Sequence, residues 1–230
     1  MAFGICLFLS AWAQPGMSPT FGKSTCTPAL NYRFKGKLVM ESEIKSEAKD
    51  TLKMTMEMHF NDTTNIVAVK IKLPGVSKMN MTSIISKNDS IMIMLMDMGS
   101  IKSSSCHKMG ELKNAQSKKP LPTTAWKANN FIATGNTKTI CGFICKELKS
   151  VTDTITMNLW VAPDLKNWAY GNAGIQGNPL NEKNIPEDML GMTLEMTMID
   201  IVKKYSMHMK AIEVNKTEIL NINTEGYNIR

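Results

Sequence analysis

Sulfur is the chemistry this chain offers in greatest supply: 20 of its 230 residues are methionine, many of them two apart. The runs are Met54, Met56 and Met58; Met79 and Met81; Met92, Met94, Met96 and Met98; Met196 and Met198; and Met207 and Met209. In a β-strand, residues i, i+2 and i+4 point to one face, so each run lays a row of thioethers on one side of a sheet. A helical stripe would recur at three and four instead. Thioethers are flexible and polarisable, suited to filling irregular space or holding an apolar ligand of loose shape. The candidate ligand cavity is therefore Met54, Met56, Met58, Met92, Met94, Met96, Met196, Met198, Met207 and Met209.

Soft thioethers with imidazole also suit copper(I). That alternative rests on Met58-His59 and on Met207-His208-Met209. Strand alternation works against it, because each histidine projects away from the methionines beside it. The plainest account is that methionine replaces Leu or Val as core filler. Catalysis has less to build on. There is no GxSxG, HExxH or glycine-rich phosphate loop, and His59, His107 and His208 lie far apart in sequence. No catalytic residue and no cofactor is expected. Trp160, Trp168 and Tyr170 flank a glycine-rich loop and form either a docking patch or part of the core.

Residues 1–13 read as a signal peptide. Phe3 to Ser10 is a short apolar run, and Ala11-Trp12-Ala13 supplies small residues where a signal peptidase cuts. No Lys or Arg follows Met1, so the basic start of such a signal is missing. The run is too short to span a membrane, and no later stretch could do so. Cleavage would remove Cys6 and leave Cys26, Cys106, Cys141 and Cys145, an even set suited to two disulfides with three possible connectivities. On an unbroken strand Cys141 and Cys145 stand too far apart to bridge, although Gly142 could break the strand and close the gap. The net charge of +7 is carried by scattered lysines rather than a basic helix or arginine cluster. That argues against nucleic acid and leaves weak attraction to anionic lipid head groups.

These groups need strands to position them. Residues 14–30, rich in Pro, Gly, Ser and Thr, read as a flexible leader. Alternating segments follow at Tyr32–Met40, Leu52–Phe60, Ile66–Leu73, Met81–Ser86 and Ser90–Met98, the last two forming a hairpin about Lys87-Asn88-Asp89. The strand at Ser90–Met98 carries Ile91, Ile93 and Leu95 opposite its methionines, so it should be covered on both faces. Residues 102–125 are polar and read as a loop. Strands resume at Phe131-Ile132, Thr139–Leu148 and Thr154–Val161. A short helix opens at Pro163 and reaches Trp168, a second starts at Pro186, and the closing strands are Leu194–Val202, Tyr205–Val214 and Glu218–Ile222.

Thr134-Gly135-Asn136-Thr137-Lys138-Thr139-Ile140-Cys141-Gly142-Phe143-Ile144-Cys145, followed by Leu159-Trp160-Val161-Ala162-Pro163-Asp164-Leu165, carries a resemblance. It resembles an uncharacterised family of secreted Gram-negative proteins, a domain of unknown function, whose centre reads TG-x-TK-x-I-x-GY-x-C and then W-[VI]-x-x-x-L. Phe143 stands where that family usually has Tyr. The likeness covers most of residues 30–228. The family is similar in architecture to the periplasmic lipoprotein carriers, open β half-barrels whose concave face holds acyl chains. The resemblance implies that fold; the lipid function follows only by analogy.

The expected fold is mainly β (α+β): a curved antiparallel sheet forming an open half-barrel of about ten strands with one or two short helices, in one domain over residues 31–230. The expected function is a non-enzymatic periplasmic or secreted protein holding a lipid or other apolar ligand on a methionine-lined concave sheet, with a lipid or outer-membrane component as partner. The alternatives are a copper(I)-binding envelope protein and a structural or interaction scaffold with a filled core.

Overall fold

Alternation of apolar and polar side chains settles which segments extend and which face each one buries. In the computed structural model the described residues are 24–47, 49–61, 65–72, 80–86, 88–109, 131–168, 189–202 and 204–229. They form β1 (Asn31–Ser46), β2 (Lys49–Asn61), β3 (Ile66–Lys72), β4 (Asn80–Ser86), β5 (Ile91–Met98), β6 (Ile101–Lys108), β7 (Ile132–Ile140), β8 (Phe143–Val151), β9 (Ile155–Ala162), β10 (Met192–Asp200), β11 (Tyr205–Asn223) and β12 (Asn228–Ile229). All belong to one open curved sheet of order β12-β6-β5-β4-β3-β2-β1-β11-β10-β9-β8-β7. Every pairing is antiparallel except the two-residue contact of β12 with β6. Two meanders, β1 to β6 and β7 to β11, thus meet side by side along the long β1–β11 ribbon.

Each face carries a core. On the methionine face, Leu38, Met40, Met54, Met56, Met58, Met196, Met198, Met207 and Met209 pack with Leu148, Met157 and Leu159. On the other, Tyr32, Phe34, Ala68, Ile84, Ile93, Leu95 and Cys106 form a second cluster, with Leu220 and Ile222 packed against it. β5 is therefore covered on both faces, as its sequence demands.

A helical turn, Pro163–Leu165, continues to Trp168 and lies over the methionine face. Trp168 stacks on Phe60 of β2, with ring centroids 4.7 Å apart and planes 13° off parallel. In the sheet, β9 and β2 are separated by β10, β11 and β1, so this contact closes the curve of the sheet. Gly36 makes room for it. A Cβ there would run into the indole ring, and its φ of +115° suits glycine alone.

Three expectations need correction. The segment from residue 102, read as loop, is strand β6 up to Lys108. Its Ser103-Ser104-Ser105 run lacks apolar alternation yet is buried, because both faces of the sheet are covered there. The strand expected over Thr139–Leu148 is broken by a two-residue turn, with Cys141 at φ +49° and Gly142 at +83°, which makes a β7–β8 hairpin. Tyr205–Asn223 is one strand rather than two, because β1 pairs with it along both halves. The open, curved, mainly antiparallel sheet is as expected, with twelve strands against an expected count of about ten. At the end of the expected leader, Thr25 donates its backbone N–H to the Cys106 carbonyl (2.8 Å), and Cys26 is disulfide-bonded to Cys106.

The expected signal peptide, the loop over 110–125, the glycine-rich loop of 171–178, Tyr170 and the start of the helix at Pro186 lie outside the described residues. Among the described residues no helix is long and apolar enough to cross a membrane.

Candidate functional site: the methionine face

Strand register turns the methionine runs into rows that cross the sheet. One row reads Met54, Ser42, Met209, Met196, Leu159, Leu148. The next, two residues nearer one end, reads Leu52, Ile44, Met207, Met198, Met157, Ser150. A third runs Met96, Met81, Ile71, Met56, Met40, Ala211. Cross-strand neighbours of this kind have Cβ atoms about 5 Å apart, so the thioethers touch laterally. Met54, Met56, Met58, Met96, Met196, Met198, Met207 and Met209 are each no more than 6% exposed. Met92 and Met94 are half-buried at the β5 end of the face.

Two further groups on this face were not singled out in the sequence. Met40 and Met157 join the rows because of their register, which no local pattern announces. His107 pairs with Met92 and is 8% exposed. Buried polarity is sparse but specific: the hydroxyls of Ser42, Ser105 and Ser150 are without hydrogen-bond partners among the described residues. Ser42 sits between Met54 and Met209, Ser150 beside Met157 and Ser105 between Met94 and its own strand neighbours. A buried unpaired hydroxyl costs about 1–3 kcal/mol, a cost that a ligand's polar atom would relieve.

The residues of the copper alternative are divided between the two faces. Met58, Met207 and Met209 are buried in the methionine core. His59 lies on the opposite face, 1% exposed, with Nε2 at 2.7 Å from Glu57 Oε1. A carboxylate only accepts, so Nε2 carries the proton, and the buried Nδ1 has no partner among the described residues. Burial pushes the His59 pKa down, against the pull of Glu57. Burial also opposes the charge on Glu57, but the His59 hydrogen bond and the nearby Lys70 outweigh it and bring its pKa down to about 2. His208 is exposed, 3.5 Å from Glu195. Among the described residues no three His, Cys, Asp or Glu side chains are grouped to hold a metal.

Of the four candidate disulfide cysteines, Cys26 and Cys106 are bonded, while Cys141 and Cys145 are free thiols. Cys141 occupies the hairpin turn and donates to the Ala211 carbonyl at 3.4 Å. Cys145 faces the core, where burial pushes its thiol up to about 11, so it stays neutral and unreactive. Trp160 is half-buried under the Lys138 ammonium, 4.1 Å from its ring centroid, and Trp168 is in the core.

A comparison with characterised proteins gives no match. Among solved structures, PNGF-II is similar over 84% of this chain at 14% identity and a TM-score of 0.41, and the chain spans only 30% of that protein's length. A LolA superfamily protein from Nitrosomonas europaea is similar over 80% of this chain and 87% of its own, at 10% identity and a TM-score of 0.34. An outer membrane lipoprotein-sorting protein domain from Vibrio parahaemolyticus is similar over 79% and 85%, at 9% and 0.34. Likenesses at this level carry no functional information. A family model matches residues 34–225, nearly the whole of the described sheet, and the chain belongs to that family, the domain of unknown function DUF4412.

Proposed function

We propose that this chain is a non-enzymatic binding protein of a bacterial envelope, a single β half-barrel over residues 31–230, and that its methionine face holds a lipid or other apolar ligand. The observation that carries the proposal is that strand register gathers the methionines of β5, β4, β2, β1, β11, β10 and β9 on one face, in cross-strand rows that Ile71, Ile44, Ser42 and Leu159 complete. A core meant only to fill space is best served by Leu, Ile and Val, whose rotamers are well defined. A surface that must reshape around a guest is best served by methionine. Among the described residues the cover of this face is the helical turn that brings Leu165 and Trp168 onto it. Ser42, Ser105 and Ser150, without partners among the described residues, supply hydrogen-bonding points for a head group or ester inside a largely apolar space.

Native mass spectrometry of the exported protein, with an organic extract run alongside, tests this. Adducts of lipid mass that vanish on extraction support it. Met56→Asp with Met94→Asp should then remove the adduct from a chain that still folds. A bare polypeptide, or loss of the fold in that variant, points instead to a filled core. An adduct of copper mass points to metal binding.

A further inference from the structure

The antiparallel order brings the β1–β2, β8–β9 and β10–β11 turns to one end of the sheet, and backbone hydrogen bonds tie them into a rim. Ile201 donates its N–H to the Thr154 carbonyl at 2.9 Å, and Glu47 donates to the Lys204 carbonyl at 3.3 Å. At the tip of this rim Ile201 is 64% exposed and Val202 70%. Immediately behind them on the outer face, register gives the row Val151, Thr156, Ile199, Ser206, Lys45, in which Val151 and Ile199 are also exposed. Two residues further back comes the row Lys149, Asn158, Thr197, His208, Glu43, Lys53. Its cations lie about 7 Å behind the apolar row.

We infer that this rim docks on a lipid bilayer with anionic head groups. The spacing matches such a surface: apolar tips enter the boundary of the acyl chains while the row behind them meets the phosphates. Glu43 and Glu47 are each paired with a lysine of the same rim, Lys45 and Lys204, and the one exposed carboxylate of the β8–β9 turn, Asp153, faces two exposed lysines in the row behind, Lys53 and Lys149. The chain's net charge of +7 favours approach to an anionic membrane. The rim also borders the row containing Met207, Met198 and Met157, so a chain leaving a bilayer there would meet the methionine face first. Docking does not depend on that face taking a ligand.

The test is co-sedimentation of the full chain with vesicles of phosphatidylglycerol and phosphatidylcholine, and with vesicles of phosphatidylcholine alone. The wild-type chain should sediment with the anionic vesicles and be released by high salt. Ile201→Ser with Val202→Ser removes only exposed side chains and should weaken binding at least about tenfold. Lys53→Gln with Lys149→Gln should weaken it roughly tenfold on anionic vesicles alone. Ile144→Ser, on the β7–β8 hairpin at the other end, should bind as the wild type does. A wild-type chain that stays in the supernatant overturns the proposal, as does an Ile201/Val202 variant that binds like wild type. So does sedimentation velocity showing that this pair instead holds two copies of the chain together. Ligand capture is read separately, by lipid adducts on the folded protein, so failure of one reading leaves the other standing.

Discussion

The two faces of this sheet differ in extent and in material, the methionine face holding the larger core. One gathers methionines from β1, β2, β5, β9, β10 and β11 among leucine, isoleucine and valine. The other packs Tyr32 and Phe34 against Ala68, Ile84, Ile93 and Leu95, and is closed by the Cys26–Cys106 bridge. Branched and aromatic side chains have few rotamers and methionine has many, so the methionine-rich face is the less strictly specified of the two. The difference suggests a division of labour, with one core holding the sheet in shape and the other free to rearrange.

If so, the rigid face should be intolerant of change. Phe34→Ala, at a fully buried position, should cost about 3–5 kcal/mol in a denaturant titration. Cys26→Ser with Cys106→Ser opens a loop with a sequence separation of 80 and should cost up to about 4.5 kcal/mol, the chain-entropy limit. A loss below about 1 kcal/mol would mean that the hydrogen bonds of Ser24 and Thr25 to β6 already hold that segment.

Acid should attack the same face through its polar margin. His59 pairs in register with Ala68 of the second core, and Glu57 lies one row along. The folded pKa of Glu57, about 2, lies below its ordinary value of 4.5. Its contribution is therefore present above pH 4.5 and lost as the pH falls towards 2, amounting to roughly 3 kcal/mol. His59, also held below its ordinary value of 6.5, acts in the same direction: the unfolded chain takes up its proton first, so stability falls as the pH drops through that value. Glu57→Gln should flatten the pH dependence of the melting temperature below pH 4.5; an unchanged slope would show that other carboxylates set it.

The methionine face should respond least. Met209→Leu, at a position 2% exposed, should cost under about 1.5 kcal/mol because the volumes are similar. The same substitution should nevertheless stiffen the face and weaken ligand capture, which is where the two faces differ most.

Much of this was legible in the sequence. Spacing by two gave the methionine strands, and Pro163 marked the turn that carries Trp168. Ile91, Ile93 and Leu95 opposite Met92 and Met94 marked a strand covered on both faces. β6 was hidden because serines announce neither strand nor burial; only the cores on either side bury Ser103, Ser104 and Ser105. The β7–β8 turn was hidden because Cys141 stands where Asn or Asp would signal a positive φ. Tyr205–Asn223 read as two strands because its alternation fades at Asn215-Lys216-Thr217, while β1 carries the pairing past that point with a shift in register beside Gly36. The rows themselves, and the place of Met40, Met157 and His107 in or beside them, depend on register between distant strands, which spacing within one strand does not encode.

The most direct test of the adaptable face is methyl NMR of the chain labelled at methionine, titrated with palmitate. The expected result is saturable shifts of Met54, Met56, Met196, Met198, Met207 and Met209, with little change in a parallel isoleucine-labelled sample at Ile84 and Ile93. Shifts confined to exposed Met98, or none at all, would contradict a ligand on this face and leave the methionines as the filling of a closed core.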